Sequence, residues 1–153
     1  MMRTIEAYIA PPHSLQNWAD PLFRVLTSLI FIIGGLGHFG EHQMMLDRMS
    51  ESPWRDTIDQ IGNPSWLLWL SGGIFFFFGM TLALGWMTRL SALLLLLTLV
   101  PITITIHFAP GHVGPLFKNI AIFGALFFLY CRGPGTYAID NRTLSLGQQL
   151  HGK

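Results

Sequence analysis

The sequence has little charge and almost no cysteine. Asp, Glu, Lys and Arg together make up 11% of its 153 residues, against roughly 25% in an average soluble domain. A single cysteine, Cys131, excludes an intrachain disulfide and a C-x-x-C redox pair. A formal net charge of +1 gives no basic field to attract a nucleic acid. There is no Gly-rich phosphate loop, no G-x-S-x-G elbow and no nucleophile beside a plausible base, so a soluble-type hydrolase or kinase is excluded. Apolar residues are abundant: 51% of the chain is hydrophobic, with 12 Phe and 5 Trp, and mean hydropathy is +0.47. One domain's length with this composition implies an all-α integral membrane protein.

Crossing a hydrocarbon core about 30 Å thick takes about 20 mostly apolar helical residues. Four stretches meet or approach that length, at about 22–45, 64–87, 90–109 and 115–131, and predict a four-helix membrane bundle over residues 22–132. Pro64 and Pro115 stand where a first-turn proline is tolerated. Trp66, Trp69 and Trp86 flank the second span as an aromatic belt does. Residues 1–21 contain Glu6, Pro11, Pro12, Asn17 and Asp20 and no apolar signal-peptide region. They are expected to form a cytoplasmic or interfacial segment, with span one acting as its own insertion signal. Residues 133–153 are expected to be a cytoplasmic tail. In the 46–63 connection, Ser52, Pro53, Arg55, Asp56, Ile58 and Ile61 suggest a short amphipathic helix with Trp54 at the headgroups.

An even number of spans puts both termini on one side. Arg3, Arg24, Arg89, Arg132, Arg142 and Lys153 fall on that side, and Arg48, Arg55 and Lys118 on the other. Six against three favours cytoplasmic termini in a bacterial-type inner membrane.

Six histidines occur, and His13 and His151 lie in the predicted tails. Counted at about 1.5 Å per residue, His38 and His42 lie about 24–30 Å up span one, and His107 about 26 Å up span three. His112 follows in the next turn, so all four belong to one outer boundary. His38 and His42 share a face as an i, i+4 pair that can chelate one ion, with Glu41 flanking them. Gly34 and Gly35, one turn below, leave space for a close helix or a flat ligand. Thr103, one turn below His107, and Lys118, at the start of span four, are candidate supporting groups. The string His38-x-x-Glu41-His42 matches the H-x-x-E-H pattern of inverted zinc peptidases. That chemistry needs an open cleft and a distant carboxylate, which no other span supplies. No second histidine box exists, which argues against a di-iron hydroxylase or desaturase.

Pro101 cannot donate to the carbonyl of Leu97 and is expected to kink span three, with Thr98, Thr103 and Thr105 available to loosened carbonyls. Arg24 is expected to snorkel, Lys118 to pair with Glu41 or reach the headgroups, and Cys131 to be a buried, inert thiol.

Span four reads Gly114-Pro115-Leu116-Phe117-Lys118-Asn119 and then Ile122-Phe123-Gly124, followed by Gly133-Pro134-Gly135-Thr136-Tyr137-Ala138-Ile139-Asp140. These stretches resemble the K-N-x-x-x-x-G and G-P-G-x-x-S-x-D motifs of DoxX/DoxD-type membrane proteins, with Ala138 where that family usually has serine. The resemblance covers about residues 20–141 and includes Arg24 opening span one. It implies a four-helix bundle and a link to membrane electron transfer, since some members resemble the membrane subunit of thiosulfate:quinone oxidoreductase. Where many relatives have a G-x-x-K setting at the end of span one, this chain has Gly-His-Phe-Gly-Glu-His, so the thiosulfate function does not transfer directly.

Three readings stay open. The first is a quinone-linked redox subunit in which His38, His42, His107 and His112 hold haem or a transition-metal ion near the periplasmic face, with Glu41, Thr103 and Lys118 in support and a partner oxidoreductase subunit to exchange electrons. A quinone head group also fits, because it needs only one or two donors near the membrane surface. The second is a non-catalytic assembly or accessory protein. The third is a metal uptake or delivery protein.

Overall fold

Four long helices form the frame of the computed structural model, which describes residues 9–107 and 113–141, with His107 and Val113 described by backbone alone. Helix α1 runs His13–Gly40, α2 His42–Ser50, α3 Arg55–Ile61, α4 Pro64–Leu84, α5 Thr88–Ile102 and α6 Val113–Arg132; a π-helical turn, Thr103–His107, continues α5. Helices α1, α4, α5 with its π turn, and α6 are each long and apolar enough to cross a membrane, and no strand occurs among the described residues. The chain is therefore a multi-pass, all-helical membrane protein.

Local chemistry sets the helix ends. Asn63 caps α4 by accepting from Ser65 N–H at 2.9 Å, and Pro64 opens its first turn. Gly85, at φ 68°, closes α4 with a left-handed turn. The first span starts at His13, nine residues before Leu22, so residues expected at the interface form its first turns. It also stops at Gly40 rather than continuing to Met45. Glu41 leaves the helical region at φ −113°, ψ 31°, and the chain restarts as α2. The connection that follows contains α3, whose Ile58 is buried, and Ser52 Oγ donates to the carbonyl of Thr105.

Helix α1 pairs most extensively with α4, and α5 packs against both α4 and α6. The α1–α4 crossing is close to backbone contact. A Cβ on Gly35 would lie 2.7 Å from Phe76 N and 2.8 Å from the Gly72 carbonyl oxygen, and one on Gly72 would lie 2.8 Å from His38 Cβ. Small residues permit such approaches between membrane helices, where packing and not water exclusion holds spans together. Phe31, Phe75, Leu82, Leu95 and Leu126 fill the bundle centre, with Phe31 and Phe75 meeting edge to face at 5.2 Å.

At the end of the bundle that holds the described termini, Arg24 corrects one expectation. It does not snorkel: it is 2% exposed. Its guanidinium donates to the carbonyls of Ala83 and Tyr137, both at 3.3 Å, and to that of Pro134. Asp20 accepts from Arg132 Nε at 3.0 Å and from Thr136 N–H at 3.3 Å. Asp140 accepts from Met87 N–H at 2.8 Å and Thr88 N–H at 3.0 Å, capping α5 from 52 residues away in sequence. Residues 133–140 are thus a strap that ties α1, the α4–α5 turn and α6 together. Cys131 also departs from expectation: it is exposed, on the outward face of α6 two residues from buried Leu129.

Gly35→Leu should prevent folding, whereas Gly34→Leu, whose Cβ meets nothing within 4 Å, should elute and melt in detergent like the wild type. Arg24→Met should lower stability by about 3 kcal/mol, because it strips hydrogen bonds from three carbonyls. Thermal melts of detergent-purified variants check both expectations.

Candidate functional site

The i, i+4 pair of the sequence is present, but the two rings do not share one task. His38 lies in the last turns of α1 and is 9% exposed, and its Nδ1 lies 3.0 Å from Ser71 Oγ on α4. His42 begins α2 beyond the break at Glu41. Its Nε2 lies 2.9 Å from Ser65 Oγ, its Nδ1 is 3.3 Å from the His38 carbonyl, and its ring leans on Trp69 at 5.1 Å. Each histidine is therefore matched to its own serine. Glu41 is exposed at the helix break, away from the buried ring of His38.

His107 ends the π turn, at the same end of the bundle as α2, which packs on that turn; its ring lies outside the described residues, as does all of His112. Among the described residues, no three His, Cys, Asp or Glu side chains are grouped to hold a metal ion. Thr103 is buried but faces α6: it donates to the Leu99 carbonyl at 2.7 Å and accepts from Asn119 Nδ2 at 2.9 Å. Lys118 is exposed and makes no ion pair with Glu41; the ion pairs among the described residues join Arg55 to Asp59 and Arg132 to Asp20.

His38 and Ser71 form part of the wall of a cavity of about 530 Å³, within the size range of small-molecule and cofactor sites. Its sides are mainly apolar, from Phe31, Ile74, Phe75, Leu99 and Ile122 on the four spans, and Met45, Met49 and Ile58 of α2 and α3 close its outer end. Gly34 leaves room at the α1 side. Ile30 and Leu70 line the cavity and are also 44% and 58% exposed on the bundle's outer surface. The cavity therefore reaches the outer surface of the bundle, toward the position of the acyl chains. Arg48 and Lys118 stand at its polar end.

Two polar residues of this wall, Ser71 and Asn119, were not among the candidate site residues of the sequence. Asn119, which follows Lys118 in the K-N motif, is 3% exposed. The signal available was the position of an amide in the first turns of a membrane span, where a polar group needs a partner.

Making both 3.0 Å contacts of Ser71 as hydrogen bonds sets the hydrogen positions. Ser71 Oγ donates to the Leu68 carbonyl at 3.0 Å. A hydroxyl has one hydrogen, so toward His38 it accepts, and Nδ1–H is the donor. In the uncharged ring Nε2 then carries the lone pair. Nitrogen-15 shifts of labelled protein should show the Nδ1–H tautomer at His38. Ser71→Ala, which removes the hydroxyl that accepts from that buried donor, should lower stability by about 1 kcal/mol.

Comparison with known proteins adds a family. The DoxX family model matches residues 19–108, which span α1 to the π turn. The stretches of α6 and the strap that resemble DoxX motifs lie beyond the matched residues. No curated protein and no solved structure matches the chain. A membrane bundle of four spans, matched over more than half its length by this model, belongs to the DoxX family.

Proposed function

We propose that this DoxX protein is a quinone-linked membrane subunit of an electron-transfer system and that the cavity between its spans holds the quinone ring. The carrying observation is a mainly apolar cavity that opens toward the bilayer and has a buried histidine in its wall. A ligand that enters from lipid must be lipid-soluble, and an apolar pocket with a few convergent polar groups suits a ring bearing two oxygens. When bound, a quinone supplies a two-electron, two-proton couple. His38 is the buried imidazole of the wall, its ring held by Ser71. Phe31 and Phe75 form an apolar wall that excludes water. Arg48 and Lys118 fix the polar end at the headgroup level.

The chemistry of the donors speaks against joint chelation of one metal ion by His38 and His42. Their rings are directed to two different serines, whereas chelation needs both nitrogens on one point. The positive-inside count supports cytoplasmic termini, which puts the cavity near the periplasmic face of an inner membrane. A partner subunit that donates or accepts electrons completes the system.

Titration of detergent-purified protein with a short-chain benzoquinone and its hydroquinone, followed by tryptophan fluorescence, should show saturable binding of at least one of them. Gly34→Leu, which extends a side chain into the cavity, should weaken that binding at least tenfold with an unchanged melting temperature. Absence of saturable binding by either form removes the reading.

A further inference from the structure

The polar groups of the cavity are biased toward acceptance. Three hydroxyls line it, and each donates its hydrogen to the backbone: Ser71 to Leu68, Thr98 to Leu94 at 2.8 Å, and Thr105 to Pro101 at 2.8 Å. The two side chains best placed to meet a ligand are oriented by the same logic. His38 spends its N–H on Ser71 Oγ, which leaves Nε2 as an acceptor. Asn119 is oriented by Thr103. The Thr103 hydroxyl donates to Leu99, so its oxygen can only accept from Asn119, and the amide must present its nitrogen to it. The Asn119 carbonyl oxygen is then turned away from Thr103, on a residue that is 3% exposed and lines the cavity. No described group donates to this oxygen or to His38 Nε2. A buried acceptor without a donor carries the full cost of its desolvation.

We propose that the cavity selects the reduced, dihydroxy form of its ligand: His38 Nε2 on α1 and Asn119 Oδ1 on α6 accept the two O–H groups of a hydroquinone. The proposal rests on the quinone-linked reading and specifies which redox state the site holds. A quinone presents carbonyl lone pairs to these two acceptors and satisfies neither. Among the described lining residues, the side-chain donors that remain are the second amide hydrogen of Asn119 and the exposed cations Arg48 and Lys118 at the polar end. A site built to hydrogen-bond a hydroxyl rejects an analogue that lacks it far more strongly than an apolar pocket rejects a change of size. The site would then bind the species that carries both protons, with His38 Nε2 in place to take one of them.

The test uses the full-length protein in nanodiscs under anaerobic conditions and three probes of matched size: a short-chain hydroquinone, the corresponding quinone, and the hydroquinone dimethyl ether. Dissociation constants are read by tryptophan quenching. The hydroquinone should bind at least tenfold more tightly than either other probe. In Asn119→Ala and His38→Phe the preference should fall below threefold, through loss of hydroquinone affinity. The wild-type comparison decides the matter even if a variant fails to fold. A quinone that binds as tightly as the hydroquinone, or an ether that does, overturns this inference and leaves the quinone-linked reading standing. No saturable binding of any probe overturns both.

Discussion

There is no room for a methyl group where α1 crosses α4 at Gly35, and the candidate site depends on that constraint. Backbone contact there brings Gly72 against His38 Cβ and puts Ser71 within reach of the imidazole. Without it the buried ring would need a partner from elsewhere or from water, and an apolar bundle offers neither. Gly34, the adjacent residue, has the opposite role. It meets nothing, and the space it leaves belongs to the cavity. Two consecutive glycines thus do two jobs, one closing a helix crossing and the other keeping a pocket open.

The third span shows how a defect in a helix can orient a site. Pro101 supplies no N–H, and the chain widens into a π turn just beyond it, as helices often do near functional sites. Hydroxyls of Thr98, Thr103 and Thr105 each return to the carbonyl four residues earlier. This gives each hydroxyl a partner inside a membrane. It also uses up their hydrogens, so that Thr103 becomes an acceptor and turns the Asn119 amide. A packing feature of α5 therefore sets the polarity of a side chain on α6.

The spans were legible in the sequence because 20-residue apolar runs have few alternative explanations, and the amphipathic connection was legible from its alternation of Ile with charge. The long reach of α1 back to His13 was not, because Asn17 and Asp20 look interfacial until Thr136 and Arg132 come to meet them. The histidine layer was read as a shared ligand set from depth and from the i, i+4 spacing of His38 and His42. Depth does not say which way a ring points, and a one-residue helix break at Glu41 was enough to give His38 and His42 different partners. Ser71 carries no motif, and Asn119 stood out only as part of a family motif. Their importance comes from neighbours on other helices, which spacing along one chain cannot reveal. The G-P-G stretch was recognised as a family mark but not as a fastening, because its acceptors are backbone carbonyls that look alike in any sequence.

That fastening bears on the order of events during biosynthesis. Arg24 enters the membrane with the first span, yet two of its three acceptors, Pro134 and Tyr137, emerge from the ribosome more than a hundred residues later. At elongation rates of about 5–20 residues per second, the guanidinium waits roughly five to twenty seconds. During that wait α1 holds a cation that hydrocarbon disfavours, and the first span is free to slide toward the aqueous side until the C-terminal strap arrives. A strap made after all four spans thereby fixes the depth of the first one inserted.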